Sequence, residues 1–135
     1  MNRTELINIS IGELWDKFSI LLIKKEKLNE ENELYYINNE LDFLTKNMSK
    51  YSYIQDLLFI NLKKINLELW DTENLIREKE KNQEFDQEFI KFARDVYSLN
   101  DKRSFIKYNI NKRFGSSILE IKNYSVPARS ADKEK

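Results

Sequence analysis

The sequence predicts an all-α protein, a helical bundle of about five helices arranged as antiparallel hairpins, on three observations. Two Gly and one Pro in 135 residues are too few for the closely spaced turns of a sandwich or barrel. Apolar residues recur at three- and four-residue steps along most of the chain, the period of a helix with one buried face. The tetrapeptide Glu-Leu-Trp-Asp occurs twice, at Glu13–Asp16 and Glu68–Asp71, and carries the only two Trp residues. Each indole reads as an inward wedge at a matching position on two helices of one bundle.

The first helix begins at Ser10-Ile11-Gly12-Glu13, a capping box in which Ser takes an orphan amide and Glu reaches back to the Ser amide. Ile9 and Leu14 sit where a hydrophobic staple closes that end. Ile11, Leu14, Trp15, Phe18, Leu21, Leu22 and Leu28 then form one face, widened by Ile20 and Ile23, which marks a central helix with several neighbours. Asn29–Asn32 is a polar interruption. Leu34, Ile37, Leu41, Leu44 and Met48 make the seam of a second helix, flanked by Tyr35, Tyr36 and Phe43. Lys50-Tyr51-Ser52 breaks it, and Ser52 with Gln55 suggests a second capping box.

A third helix is expected from Tyr53 to about Lys81, with Leu58, Leu62, Ile65, Leu69, Thr72 and Ile76 as its seam and Leu57, Phe59 and Trp70 to the sides. At roughly 40 Å it is long enough to bend, protrude or pair with a second chain. After Asn82–Asp86 comes an aromatic-rich helix through Phe85, Phe89, Phe92, Ala93, Val96 and Tyr97. Asn100-Asp101 reads as a break with a fresh N-cap, and Phe105, Ile106, Asn109, Ile110 and Phe114 as a fifth helix. Gly115 closes it as the left-handed C′ residue. Ser117–Tyr124 reads as a short extended segment. The reading is one domain over residues 1–124 and a disordered tail over 125–135.

Composition restricts the chemistry. There is no Cys and no His, so thiolate catalysis, imidazole bases and Cys- or His-ligated metals are excluded. The 23 basic and 23 acidic residues cancel, which argues against nucleic acid as a partner. No apolar run reaches about 18 residues, so no membrane span is expected, and the start has no secretory signal pattern. A cytoplasmic location is the default expectation. Enrichment in Asn, Lys and Ile points to an AT-rich coding sequence and so to a bacterial or phage source.

Charge is segregated along the chain. Asn66 to Ile90 carries eight acids against Arg77, Lys79 and Lys81, whereas Lys91 to Lys122 carries eight bases against Asp95, Asp101 and Glu120. The simpler reading is that these segments neutralise one another side by side. The sharper one picks out Arg103 and Lys107, one turn apart between Asn100 and Asn111, as a stripe able to grip a phosphate or carboxylate. A competing reading uses the acids Glu13, Asp16, Glu68 and Asp71, each pair at i, i+3. Were the two helices adjacent, these could hold Mg²⁺ for a nucleotide pyrophosphohydrolase-like reaction. Glu13, however, already has the cap to serve.

The chain resembles a domain of unknown function found in small bacterial and phage proteins. The resemblance rests on Ile11-Gly12-Glu13-Leu14-Trp15-Asp16-Lys17 running into Ile20–Lys27, and on Glu68–Asp71 with Glu73 and Arg77. The C-terminal half adds Phe85-Asp86, Phe89-Ile90, Ala93-Arg94, Val96-Tyr97, Asn100–Arg103, Lys107, Asn111 and Gly115-Ser116. It spans Ile9 to Tyr124, implies a stand-alone helical domain and assigns no reaction. It does single out polar residues beyond those a core needs: Asp16, Lys17, Arg77, Arg94, Asn100, Arg103 and Lys107. The expectation is therefore a non-enzymatic module without cofactor that binds a small anion or a protein partner and can self-associate. Arg77, Arg94, Asn100, Arg103 and Lys107 are its candidate ligand contacts, and Mg²⁺ enters only under the hydrolase alternative.

Overall fold

The computed structural model describes residues 3–122, which form four helices and, among the described residues, no strand: α1 (Ile11–Lys27), α2 (Glu31–Met48), α3 (Leu57–Lys81) and α4 (Gln87–Arg113). The expected fourth and fifth helices are one. α4 runs unbroken through Asn100-Asp101 because both flanks of that turn are packed, and the Asn100 carboxamide accepts from Arg103 instead of capping a new start. Residues 115–122 leave α4 without helix. Asn123, Tyr124 and the tail expected over 125–135 lie outside the described residues. No described helix is long and apolar enough to cross a membrane.

Helix ends follow local chemistry. Ser10 caps α1 by accepting from the Glu13 amide, Asp86 caps α4 through the Phe89 amide, and Glu30 caps α2 through Asn32 and Glu33. α3 starts four residues later than its pattern suggested. Asp56, not Ser52, supplies the cap, accepting from the Leu58 amide. α3 and α4 close alike: Glu84 N reaches Lys79 O and Ser116 N reaches Asn111 O, with the next bonds inward from Gln83 and Gly115. This is the Schellman arrangement, and its C′ residue needs a left-handed backbone. Gly115 supplies that freely at φ 65°, whereas Gln83 adopts φ 57° with a side chain.

α1 is the hub, packing against α2, α3 and α4, while α2 touches α1 alone among the helices. Pairings of Gly12 with Asn111 and Asp16 with Arg103 set α4 antiparallel to α1. Trp15 against Phe59 and Lys27 beside Asp71 set α3 parallel to it. The core gathers around Trp15, fully buried, whose ring meets Tyr51, Phe59 and Phe114 at centroid distances of 5.7, 5.9 and 5.1 Å. Phe59, assigned to the side of its helix from spacing, is thus core, whereas Leu57 beside it is exposed. Tyr51 and Tyr53 pack into the core from the α2–α3 connection; Tyr35 and Tyr36 face solvent.

Trp70 does not mirror Trp15. It is half-buried, out where α1 ends. Asp16, next to Trp15 in sequence, is turned to Arg103 and Asn66, and the buried Trp15 Nε1 has no hydrogen-bond partner among the described residues. An unmet buried donor costs about 1–3 kcal/mol, which the burial of so large a ring offsets.

Candidate functional site

Two features stand out where α1 meets the α3–α4 hairpin: a cluster of ion pairs under α1, and an open groove beyond its end. The cluster is centred on Asp16, 1% exposed. Arg103 grips it two-fold, Nε donating to Oδ1 at 2.9 Å and Nη2 to Oδ2 at 2.5 Å. Asn66 of α3 donates Nδ2 to the same Oδ1 at 2.9 Å and to the Ser19 hydroxyl at 2.8 Å. Lys107 donates to Glu13 at 2.7 Å and lies 3.3 Å from Glu120 and 3.7 Å from Asp16. At the base, Asn111 accepts from the Gly12 amide at 2.6 Å and Ser116 from the Ile11 amide at 3.2 Å. With Ser10 on Glu13, these bonds satisfy donors that the first turn of a helix leaves unpaired. The helices come close enough there that a Cβ on Gly12 would stand 2.6 Å from the Lys107 carbonyl.

The electrostatics of the cluster are closed on themselves. Burial pushes the Asp16 carboxyl up, but the Arg103 fork, Asn66 and Lys107 hold it below the ordinary carboxylate value. The bond to Asp16, working against burial, raises Arg103. Burial opposes charge on Lys107, yet Glu13, Asp16 and Glu120 keep its pKa above the usual amine value. Glu120, likewise resisted by burial, is held down by Lys107. The Glu13 carboxylate is engaged by Lys107 and Lys17, not by the Ser10 amide that the capping box required.

Of the five candidate ligand contacts, the structure brings together Asn100, Arg103 and Lys107 and places the other two elsewhere. Arg77, 78% exposed on its side chain, pairs with Glu73 one turn back on α3. Arg94 lies nine residues before Arg103 on α4, about 13 Å along the axis. Nor do the four carboxylates of the Mg²⁺ reading converge. Glu13 and Asp16 are held by Lys107 and Arg103, Glu68 is exposed, and Asp71 is turned to Lys27 at 3.9 Å. Glu68 stands about 200° around α3 from Asn66, the residue that faces Asp16. Among the described residues no group of three or more acids is placed to hold a metal ion. The residues that spacing missed are Ser19, Asn66 and Glu120. The first two are polar residues within apolar stripes, a signal that was present. Glu120 had none.

Beyond α1 the picture changes. On α3 the stripe facing α1 continues from Asn66 through Trp70, Glu73 and Arg77, and on α4 it continues from Asn100 through Val96, Ala93 and Phe89, at three- and four-residue steps. α1 stops at Lys27, level with Asp71, and α2 does not reach the hairpin. Residues 70–98 consequently include no buried residue. Leu75, Phe85, Ile90 and Tyr97 are exposed there, and a separate shallow concavity of about 410 Å³ runs along α4, lined by Ile90, Arg94 and Tyr97 with polar neighbours and by none of the stripe residues. At the tip Lys79 draws in Glu84, Asp86 and Glu88 at 2.7–3.7 Å.

A model of a family of unknown function (DUF6165) matches residues 5–133, a span that takes in residues past Tyr124. No curated protein and no solved structure matches the chain.

Proposed function

From the premise that the chain belongs to this family of unknown function, we propose that it is a non-enzymatic interaction module whose distal α3–α4 hairpin docks a helix of a protein partner. The observation that carries the reading is the continuity of the groove: its proximal half is filled by α1, and its distal half presents the same two stripes with nothing among the described residues laid upon them. A two-helix hairpin buries too little to be rigid alone. A third helix laid end to end with α1 would lie over Trp70, Glu73 and Arg77 of α3 and over Val96, Ala93 and Phe89 of α4, with Arg94 at its edge. The ligand it fits is an amphipathic helix with one narrow apolar stripe.

A small anion is favoured less by this arrangement. Arg103 directs three of its N–H groups at Asp16 and Asn100, and Lys107 already faces three carboxylates. An incoming phosphate would have to displace acids from a cluster in which acids already outnumber these two bases.

The test is selection of helical peptides from a display library of amphipathic sequences against the whole protein. Peptides are expected whose binding is abolished by Tyr97→Glu and by Ala93→Glu and unchanged by Tyr36→Glu on α2. Recovery of no binder, or of binders indifferent to both hairpin substitutions, overturns the reading.

A further inference from the structure

We propose that Lys79 is an ionic latch that shuts the distal end of the α3–α4 hairpin, and that residues 70–98 open and close on it as a unit apart from the core. Both helices are anchored up to one level and free beyond it. Asn66 and Arg103 tie them to Asp16 of α1, and Leu69 and Leu99 are the last buried residues on either side of the distal stretch. Between them Thr72, Ile76, Phe89, Phe92 and Val96 are only half-buried, so apolar burial holds this stretch weakly. A stretch of that kind opens locally at a fraction of the cost of global unfolding.

What closes the far end is polar. Lys79 follows Leu69, Thr72 and Ile76 at three- and four-residue steps, on one stripe of α3. Its carbonyl accepts from the Glu84 amide at 2.9 Å. Its ammonium lies 2.7 Å from Glu88, 2.9 Å from Asp86 and 3.7 Å from Glu84. Asp86 divides its two oxygens: Oδ1 caps α4 by accepting from the Phe89 amide, and Oδ2 accepts from Lys79. The end of α3 and the start of α4 thus share one carboxylate. Glu88 stands on the first turn of α4, so its pair with Lys79 spans the two helices. Arg77 and Glu73, like Lys91 and Asp95, pair within a single helix. Without the ammonium, three carboxylates would face one another with no base between them and would drive the tip apart. Because those carboxylates are half-exposed, salt screens them, and ionic strength sets how often the latch is open. The latch would operate with or without a partner helix on the hairpin.

The test is amide hydrogen exchange on the whole chain at about 0.05 M and about 1 M sodium chloride, read residue by residue. In the wild type, exchange over residues 72–96 should quicken about three- to fivefold at the higher salt, with residues 14–23 and 103–111 unchanged. Lys79→Gln should show the faster exchange at both concentrations, and Lys79→Arg should behave as wild type. Asp86→Asn, which keeps an acceptor for the Phe89 amide, should give a smaller rise. Lys63→Gln removes a pair between α3 and α1 in the proximal half and should leave the distal amides unchanged. Distal exchange that ignores salt in the wild type, or that keeps its salt response in Lys79→Gln, overturns the latch. Faster exchange by the same factor in the proximal residues of Lys79→Gln overturns the separate opening.

Discussion

Glu13–Asp16 and Glu68–Asp71 spell the same four residues inside two helices of one bundle, and they end in opposite environments. In the first copy the Trp ring is sealed among Tyr51, Phe59 and Phe114, and the Asp is held by Arg103 and Asn66. In the second the Trp is half-buried, the Glu is exposed, and the Asp lies against water with Lys27 as a distant neighbour. Only the Leu is buried in both, Leu14 and Leu69 alike. The difference lies in what faces each turn. α1 has helices on several sides along its length, whereas α3 loses its cover where α1 ends. A tetrapeptide sets the stripe; the neighbouring helix decides whether that stripe becomes core, ion-pair cluster or open surface.

Substituting one residue at a time should separate the two copies cleanly. Trp15→Ala is expected to cost about 3–5 kcal/mol, the range for emptying a large aromatic site. Trp70→Ala should cost about 1–2 kcal/mol, since that ring is only partly withdrawn from solvent. Urea titration gives both values. Single-Trp variants sharpen the contrast without unfolding: with Trp70→Phe the remaining indole should resist acrylamide quenching, and with Trp15→Phe it should not. Equal quenching in the two would break the comparison.

The Asp residues differ for an electrostatic reason. Asp16→Ala leaves Arg103 and Lys107 facing each other beneath α1, and removing one partner of a buried pair costs about 3–5 kcal/mol. The lower end applies, because the Arg103 side chain is 29% exposed and can draw in water. Asp71→Ala should fall within about 0.5 kcal/mol of wild type. The same carboxyl sets a pH dependence. Its native pKa lies below the ordinary value of about 3.9, so its contribution is complete above that value. It is lost as pH falls through about 4 toward the native pKa. Stability measured from pH 7 down to 3 should therefore fall less steeply in Asp16→Asn than in wild type.

How much of this was legible depended on the sequence distance between partners. Ser10 and Gly115 declare their helix ends within four residues of themselves, and both function as their local signals say. The α2 seam is also read correctly, with Ile37, Leu41 and Met48 buried. Arg103 and Lys107 were visible as a stripe, but their partners stand 87 and 94 residues away, and nothing in the stripe names them. In the structure they pair with Asp16 and Glu13 and so join α4 to α1. Asn100-Asp101 misled for the same reason: its capping propensity is local, while α1 and α3 hold the helix through it from both sides. Asn66 was legible in principle, as the one carboxamide between Leu62 and Leu69 on an apolar stripe.

Gly12 probes how tightly the covered half is closed. Gly12→Ala places its methyl against the Lys107 backbone carbonyl, which cannot rotate away, so α1 and α4 must separate or the Asn111 bond must lengthen. A cost of about 1–3 kcal/mol is expected, the range for overpacking a filled contact. Ala93→Leu, which enlarges a side chain on the stripe of the open half, should cost under about 0.5 kcal/mol. Thermal unfolding of the two variants side by side measures this asymmetry.

The smallest expected effect compares the two helix ends that share one geometry. Gly115 closes α4 in the left-handed region without penalty, while Gln83 closes α3 at nearly the same φ against the clash of its own Cβ with the neighbouring carbonyl. That strain is roughly 1 kcal/mol, and Gln83→Gly should release it, less what glycine adds to the freedom of the unfolded chain. Gly115→Ala should incur the same strain at the proximal end. The informative quantity is where each change is felt. Gln83→Gly acts on a hairpin tip that opens without disturbing the core, so amide exchange should slow around residues 78–88 with little change in the global midpoint. Gly115→Ala acts beside Ser116, which holds the Ile11 amide at the start of α1, and so should lower the midpoint of the whole molecule. If both substitutions moved only the global midpoint, the hairpin would be as firmly joined to the core as α1 is, and the distal groove would lose its standing as a separate, coverable surface.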